Sequence, residues 1–217
     1  MKLTVVGCSP AWPNAGGAHS GYLVSSDGRR LLLDCGPGVL ARLRELEAWP
    51  TVDAIIISHL HLDHCGDLVP WLWGHVLGPA TGTKGPELHV PPAGLARIST
   101  FAPLGRFLEV FEVREFADAR PFDAAGLTVT PRAVTHYHEP AYGLRVEHNG
   151  SVLAYSGDTG PTPALVEPEQ HEPHGHLCAD EARAIAVEAG ARRLLITHRA
   201  AEHRLDELVY DGFELEL

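Results

Sequence analysis

The stretch Ser58–Asp67, SHLHLDHCGD, decides the fold of this 217-residue chain. It carries three histidines and two aspartates, and it directly follows the apolar run Ala54–Ile57. A run of this kind is typical of a core strand, so we expect the strand to aim the polar cluster at one common place. The cluster therefore predicts a functional site at the end of that strand.

The spacing of His59, His61, Asp63 and His64 is typical of metal ligands. Neutral imidazoles and carboxylates bind zinc and similar divalent ions. Residues two apart in an extended chain point the same way, so His59 and His61 can bind one ion. The chain must then turn, which lets Asp63 and His64 face a second ion. Three imidazoles packed together without a metal would leave buried polar groups unsatisfied, so this loop predicts half of a two-metal site.

Three further strand-like segments end on a residue of ligand type. His136 follows LTVTPRAVT, Asp158 ends VLAYSGD, and His198 follows RLLIT. The repeated placement supports a site built at the edge of a sheet. Each of the three could equally be a turn residue that is satisfied by local hydrogen bonds, so the pattern alone leaves their role open.

Composition narrows the class of protein. A net charge of −11 and a pI near 5.6 disfavour the phosphate backbones of nucleic acids. They say little about a small anionic substrate, because a metal site carries its own positive charge. The length and the hydrophobic fraction predict one domain over residues 1–217. Four unpaired cysteines, the absence of a signal peptide and the lack of a membrane-spanning run predict a cytoplasmic protein without membrane contact.

The order of the elements predicts an α+β fold of two sheets with helices outside. Helices are expected in the segment opened by Pro37, GPGVLARLRELEAW, at Leu68–Leu77, and at Ala179–Gly190. Strands are expected at Leu3–Val6, Gly21–Val24, Arg30–Leu33, Ala54–Ile57, Glu87–Val90, Leu108–Val113, Leu127–Val134, Gly143–Glu147, Ser151–Tyr155 and in RRLLITH. No strand is expected between Asp158 and Ala179.

Several motifs together resemble the metallo-β-lactamase fold hydrolases, in the branch similar to RNase Z and to bacterial cyclic-nucleotide phosphodiesterases. SHLHLDH is the specific signature, and YSGDTG, LLITH and LLLDCGPG accompany it. The resemblance covers nearly the whole chain. It implies an αββα sandwich of two mixed sheets. It also implies that Asp34 is a structural aspartate beneath the stretch Ser58–Asp67, which we call the metal loop.

The resemblance also implies a ligand set for two divalent ions, most simply zinc, with manganese or iron as alternatives. His59, His61 and His136 would hold the first ion, Asp63, His64 and His198 the second, and Asp158 would bridge them. A hydroxide shared by the ions would be the nucleophile, and Asp63 would orient it. His138 competes with His136, but only His136 keeps the family's distance to Gly143.

His176 in GHLCADEA matches the family histidine that protonates the leaving group. The alternative is a solvated histidine in a His-rich loop. The chain departs from the family in lacking a strand between Asp158 and His176, which would leave an edge that a second copy could pair with in a homodimer. The region Gly74–Pro92 is too short for an RNA-binding arm, so tRNA is not expected as a partner.

The sequence therefore predicts a metal-dependent phosphodiesterase that acts on a small or cyclic phosphodiester. One alternative is a lactone or thioester hydrolase, because the same nucleophile attacks carbonyl groups. The other is a metal-binding but inactive relative. Four aromatic residues could contact a substrate or, more simply, fill the core: Trp12, Trp71, Trp73 and Tyr142.

Overall fold

The computed structural model describes residues 1–160, 175–203 and 205–217, which form six helices and eleven strands in those ranges. The helices are α1 (Val39–Leu46), α2 (Leu62–Cys65), α3 (Leu68–Leu77), α4 (Gly94–Ile98), α5 (Leu104–Val110) and α6 (Ala179–Glu188). The strands are β1 (Lys2–Gly7), β2 (Gly21–Ser26), β3 (Arg29–Leu33), β4 (Ala54–Ile56), β5 (Glu87–Val90), β6 (Glu112–Glu115), β7 (Phe122–Ala124), β8 (Leu127–Val134), β9 (Ala141–His148), β10 (Ser151–Tyr155) and β11 (Glu214–Glu216).

The strands form two sheets. The first has the order β11-β1-β2-β3-β4-β5-β6 and changes from antiparallel to parallel pairing between β3 and β4. The second has the order β10-β9-β8-β7 and is antiparallel throughout. Two-residue turns with positive φ at both positions close the β2–β3 and β9–β10 hairpins, at Asp27-Gly28 and Asn149-Gly150. These dipeptides favour the turn whose twist matches the strands.

Alternating side chains of the first sheet build two separate cores. Leu32 and Ile55 face the helices and pack with Trp71 of α3. Leu31, Leu33, Ile56, Val129 and Val146 instead fill the space between the two sheets. Two sheets flanked by helices are the αββα arrangement that the sequence predicts. The expectation that both sheets are mixed is wrong for the second sheet, whose described strands are all joined by antiparallel pairs.

Most of the predicted elements are confirmed, but two are wrong. The expected strand Leu108–Val113 is the end of helix α5 followed by β6, because Phe107 and Val110 lie one helical turn apart and both pack into the core. The expected strand in RRLLITH forms only an isolated bridge between Ile196 and Leu208. Among the described residues, this segment therefore adds a strand to neither sheet.

The sequence predicts that no strand lies between Asp158 and Ala179. Most of this interval is residues 161–174, which lie outside the described part of the chain. In the ranges that the structure describes, no helix is long and apolar enough to cross a membrane.

Asp67 links the metal loop to helix α1. It occupies the N-cap position of α3, yet its side chain makes no capping hydrogen bond there. Its carboxylate instead accepts a 2.7 Å hydrogen bond from the backbone N–H of Leu40, in the first turn of α1. The N-cap of α1 is Gly38, which has no side chain for this role. Asp67 therefore caps the neighbouring helix and ties it to the site.

We expect Asp67→Ala to lower the free energy of unfolding by about 1–2 kcal/mol, the usual cost of a lost cap. Asp67→Asn keeps an acceptor oxygen and should lose less. Urea denaturation of chelator-treated protein measures this without a contribution from bound metal. Equal stability of the alanine variant and the wild type would show that the cap contributes nothing.

Candidate metal centre

The residues that follow β4, β8 and β10 converge at one edge of the sandwich. The structure brings all seven predicted ligands into two adjacent groups, in each of which the potential ligand atoms lie within 4.8 Å of one another. The first group contains His59, His61 and His136, and the second contains Asp63, His64, Asp158 and His198. Gly157, with φ of 60°, forms the turn that places Asp158 against the metal loop.

Three imidazole nitrogens of the first group face each other. Nδ1 of His61 lies 3.1 Å from Nε2 of His59 and 3.1 Å from Nε2 of His136. The opposite nitrogen of His136 donates to the carbonyl oxygen of Gly175 at 2.7 Å. This bond places the His136 proton on Nδ1, so the Nε2 lone pair points into the group. The three converging nitrogens form a set that could hold one cation.

Burial also keeps His59 neutral. Desolvation, together with the neighbouring imidazoles, lowers the pKa of His59 to about 2. Its Nδ1 lies 3.1 Å from the Ser58 hydroxyl, which donates its own proton to Asp34 at 2.8 Å. The hydroxyl must therefore accept from His59 Nδ1–H, which leaves Nε2 free as a ligand.

The second group gathers two carboxylates around two imidazoles. Asp158 Oδ2 lies 3.2 Å from His198 Nε2 and 3.4 Å from His64 Nε2. Asp63 Oδ2 lies 3.7 Å and 3.6 Å from the same two nitrogens. Asp158 Oδ2 is also 4.0 Å from His136 Nε2, so its carboxylate lies between the two groups.

The second group requires a positive charge. Burial disfavours ionisation of Asp158, but the imidazole of His64 and its neighbours outweigh burial and hold the pKa of Asp158 well below its usual range. Burial likewise disfavours a charged His64, but Asp158 and Asp34 raise its pKa to about 10. Nε2 of His64 is nevertheless buried without a hydrogen-bond partner among the described residues. A divalent cation that replaces the proton would satisfy this nitrogen and both carboxylates.

Asp34 lies beneath the metal loop, as the sequence resemblance implies. Its fully buried carboxylate accepts hydrogen bonds from the Ser58 backbone N–H at 2.7 Å and from His64 Nδ1–H at 2.7 Å. It also accepts from the hydroxyls of Ser58 at 2.8 Å and Tyr155 at 2.6 Å. These bonds fix the ring orientation of His64 and aim its Nε2 into the second group.

His176 and His138 occupy different environments. His176 is half-exposed, with Nδ1 3.8 Å from Asp158 Oδ2 and its ring stacked on that of His198. Burial lowers its pKa. It therefore borders the centre rather than lying in free solvent. His138 is exposed and lies in neither group, which favours His136 as the ligand.

Sequence reasoning missed three residues near the centre. Ser58 and Tyr155 hold Asp34, and Tyr137 packs against His136 and His176 with 64% of its surface exposed. A serine directly before the first histidine and a tyrosine before SGD were visible signals. Of the four aromatic candidates, Trp71 and Tyr142 belong to the core, whereas Trp12 and Trp73 are exposed.

Comparisons with known proteins agree with this arrangement. Residues 29–199 match the family model of the Beta-lactamase superfamily domain. The uncharacterized protein Rv1339 of Mycobacterium tuberculosis is 34% identical over 91% of this chain and 80% of its own length. The probable metallo-hydrolase YhfI of Bacillus subtilis is 31% identical over 91% of this chain and 86% of its own.

Structural similarity extends over the whole chain. The crystal structure of YhfI superposes with a TM-score of 0.85 and 25% identity over 99% of both chains. A ribonuclease Z of Myxococcus xanthus is 26% identical over all of this chain and 98% of its own length. The sandwich fold is thus shared with YhfI.

We expect His136→Ala to weaken zinc binding more than the roughly 10- to 100-fold loss typical of an outer-shell substitution, because it removes one of three converging nitrogens. His138→Ala, two residues away, is the matched control and should bind zinc like the wild type. Competition with a fluorescent chelator measures both affinities. The reverse order of effects would assign the ligand to His138.

Proposed function

This chain belongs to the beta-lactamase superfamily of metallo-hydrolases, and on that premise we propose that it hydrolyses a small or cyclic phosphodiester. We further propose that it uses two divalent ions, most simply zinc, and that it acts in the cytoplasm. The single observation that carries the proposal is the position of Asp158, which belongs to the second ligand group and also lies 4.0 Å from His136 Nε2 of the first. Two ions bound there would activate water and clamp the attacking and leaving oxygens of an in-line displacement.

Charge favours a phosphodiester over a neutral ester. Two divalent ions would bring four positive charges to a site whose ligand carboxylates, Asp63 and Asp158, bring two negative ones. The resulting local excess of positive charge would attract a phosphodiester anion even though the chain carries −11 overall. A lactone or thioester would gain little from it. The similarity to ribonuclease Z, whose name describes cleavage of RNA, also supports phosphodiester chemistry.

Residues of the chain itself would orient the substrate and move the protons. The Asp63 carboxylate, partly exposed beside His64 and His198, would accept a proton from the attacking water. His176 lies 3.8 Å from Asp158 Oδ2 and is half-exposed to solvent, and it would donate a proton to the leaving oxygen. The net charge and the short segment between α3 and β5 favour a small substrate over tRNA.

We expect the zinc- or manganese-loaded protein to hydrolyse bis-p-nitrophenyl phosphate and cyclic AMP, and to contain two ions per chain by elemental analysis. His64→Ala should abolish the activity because it removes a ligand, whereas His138→Ala should retain it. Turnover of lactones or acyl thioesters without phosphodiester turnover would contradict the substrate class. Two bound ions with no turnover of the phosphodiesters, the lactones or the thioesters would instead indicate an inactive relative.

We expect His176→Ala to reveal general acid catalysis through the leaving group. A p-nitrophenolate departs without protonation, so hydrolysis of bis-p-nitrophenyl phosphate should fall less than about tenfold. A ribose alkoxide needs the proton, so hydrolysis of cyclic AMP should fall by roughly 10²- to 10⁴-fold. Steady-state kinetics with both substrates measures the difference, and equal losses would argue that His176 acts on binding alone.

A further inference from the structure

We propose that the Tyr155 hydroxyl is a positioning group. Through its hydrogen bond to Asp34, it keeps the ligands of the second group in place. The inference rests on the proposed two-metal site and adds a residue that contacts neither ion nor substrate. Tyr155 would set the affinity of one ion more than that of the other.

The hydroxyl makes a short bond to the oxygen that orients a ligand. Tyr155 donates to Oδ2 of Asp34 at 2.6 Å, and the same oxygen accepts from His64 Nδ1–H at 2.7 Å. Tyr155 ends β10 of the second sheet, whereas Asp34, 121 residues away in the chain, directly follows β3 of the first sheet. The bond therefore joins the second sheet to the loop that carries His64.

Strand β10 supplies both this hydroxyl and a ligand. Asp158 follows Tyr155 by three residues, and its carboxylate lies 3.4 Å from His64 Nε2. Strand β10 and the turn after it thus position Asp158 near Nε2 of His64. Through the Tyr155 hydroxyl, the same strand also holds Asp34, which binds Nδ1 of His64. A shift of β10 away from the metal loop would separate two members of the second group at once.

The first ligand group depends less directly on the hydrogen bond between Tyr155 and Asp34. His59 reaches Asp34 only through the Ser58 hydroxyl, and Ser58 keeps a separate backbone hydrogen bond to Asp34. His136 is oriented by Gly175. Neither contact involves β10, so the nitrogens of the first group should keep their positions when the tyrosine hydroxyl is removed.

Ring packing alone does not account for the hydroxyl. The Tyr155 ring packs against that of Tyr22 at 4.9 Å, a contact that phenylalanine would also make. What phenylalanine lacks is the donor to a buried carboxylate, and hydrogen bonds to charged groups are the stronger ones. The chemical difference between the two residues therefore acts on Asp34.

The test is Tyr155→Phe, with Tyr142→Phe as the matched control. Tyr142 is a buried tyrosine of the neighbouring strand β9, and its hydroxyl makes no hydrogen bond to Asp34. Apo protein is titrated with zinc against a chelator series that resolves two steps. We expect one of the two steps of Tyr155→Phe to lose about 10- to 100-fold in affinity, the usual effect of an outer-shell loss. The other step should change less than about threefold, and Tyr142→Phe should match the wild type in both steps.

A second measurement separates positioning from general destabilisation. Nitrogen-15 spectra of the metal-free protein report the Nδ1–H proton of His64, which should exchange with solvent faster in Tyr155→Phe than in Tyr142→Phe. Equal weakening of both zinc steps, together with a lower Tm and unchanged exchange, would overturn the inference in favour of a purely structural role.

The wild-type titration distinguishes failure of this inference from failure of the proposed function. Two wild-type steps that Tyr155→Phe leaves unchanged would overturn the inference alone. A single wild-type step would overturn the proposed two-metal function, and the inference with it.

Discussion

The buried carboxylate of Asp34 is the constraint on which the metal centre depends. An ionised carboxylate away from water is costly unless strong donors surround it. Its four donors come from Ser58, His64 and Tyr155, and they therefore fix the metal loop against both sheets. Asp34 itself has a positive φ of 59°, a strained conformation that the surrounding contacts must maintain.

The hydrogen bonds of Asp34 explain why the Nε2 lone pairs of His59 and His64 point into the metal centre. The hydrogen bond that Asp34 accepts from His64 places the His64 proton on Nδ1, and the hydrogen bond through Ser58 places the His59 proton on Nδ1 as well. One carboxylate thus selects the tautomer of a ligand in each group. The ligand nitrogens of both groups consequently face inward, and Asp158 lies where it can serve both groups.

Sequence patterns predicted most of the fold and the ligand set because both have local signals. Alternating apolar residues and the Asp27-Gly28 and Asn149-Gly150 turns specify strands and hairpins. The ligand-type residues at three predicted strand ends, His136, Asp158 and His198, indicated the rest of the site. The strand expected in RRLLITH was wrong because a strand also needs a neighbour, and the described residues provide only the bridge from Ile196 to Leu208. Asp67 directly precedes α3, and only tertiary structure shows that its carboxylate caps α1 instead.

The sequence by itself determined the chemistry of the centre, because the spacing in SHLHLDH already limits which atoms can meet and what they can bind. Tertiary structure alone decided how distant residues meet this loop. It leaves His138 outside both ligand groups, brings His176 to the border of the centre, and places Tyr155 on Asp34 across 121 residues. Contacts at such separations depend on how the two sheets pack, and that packing is a property of the whole chain rather than of any short pattern.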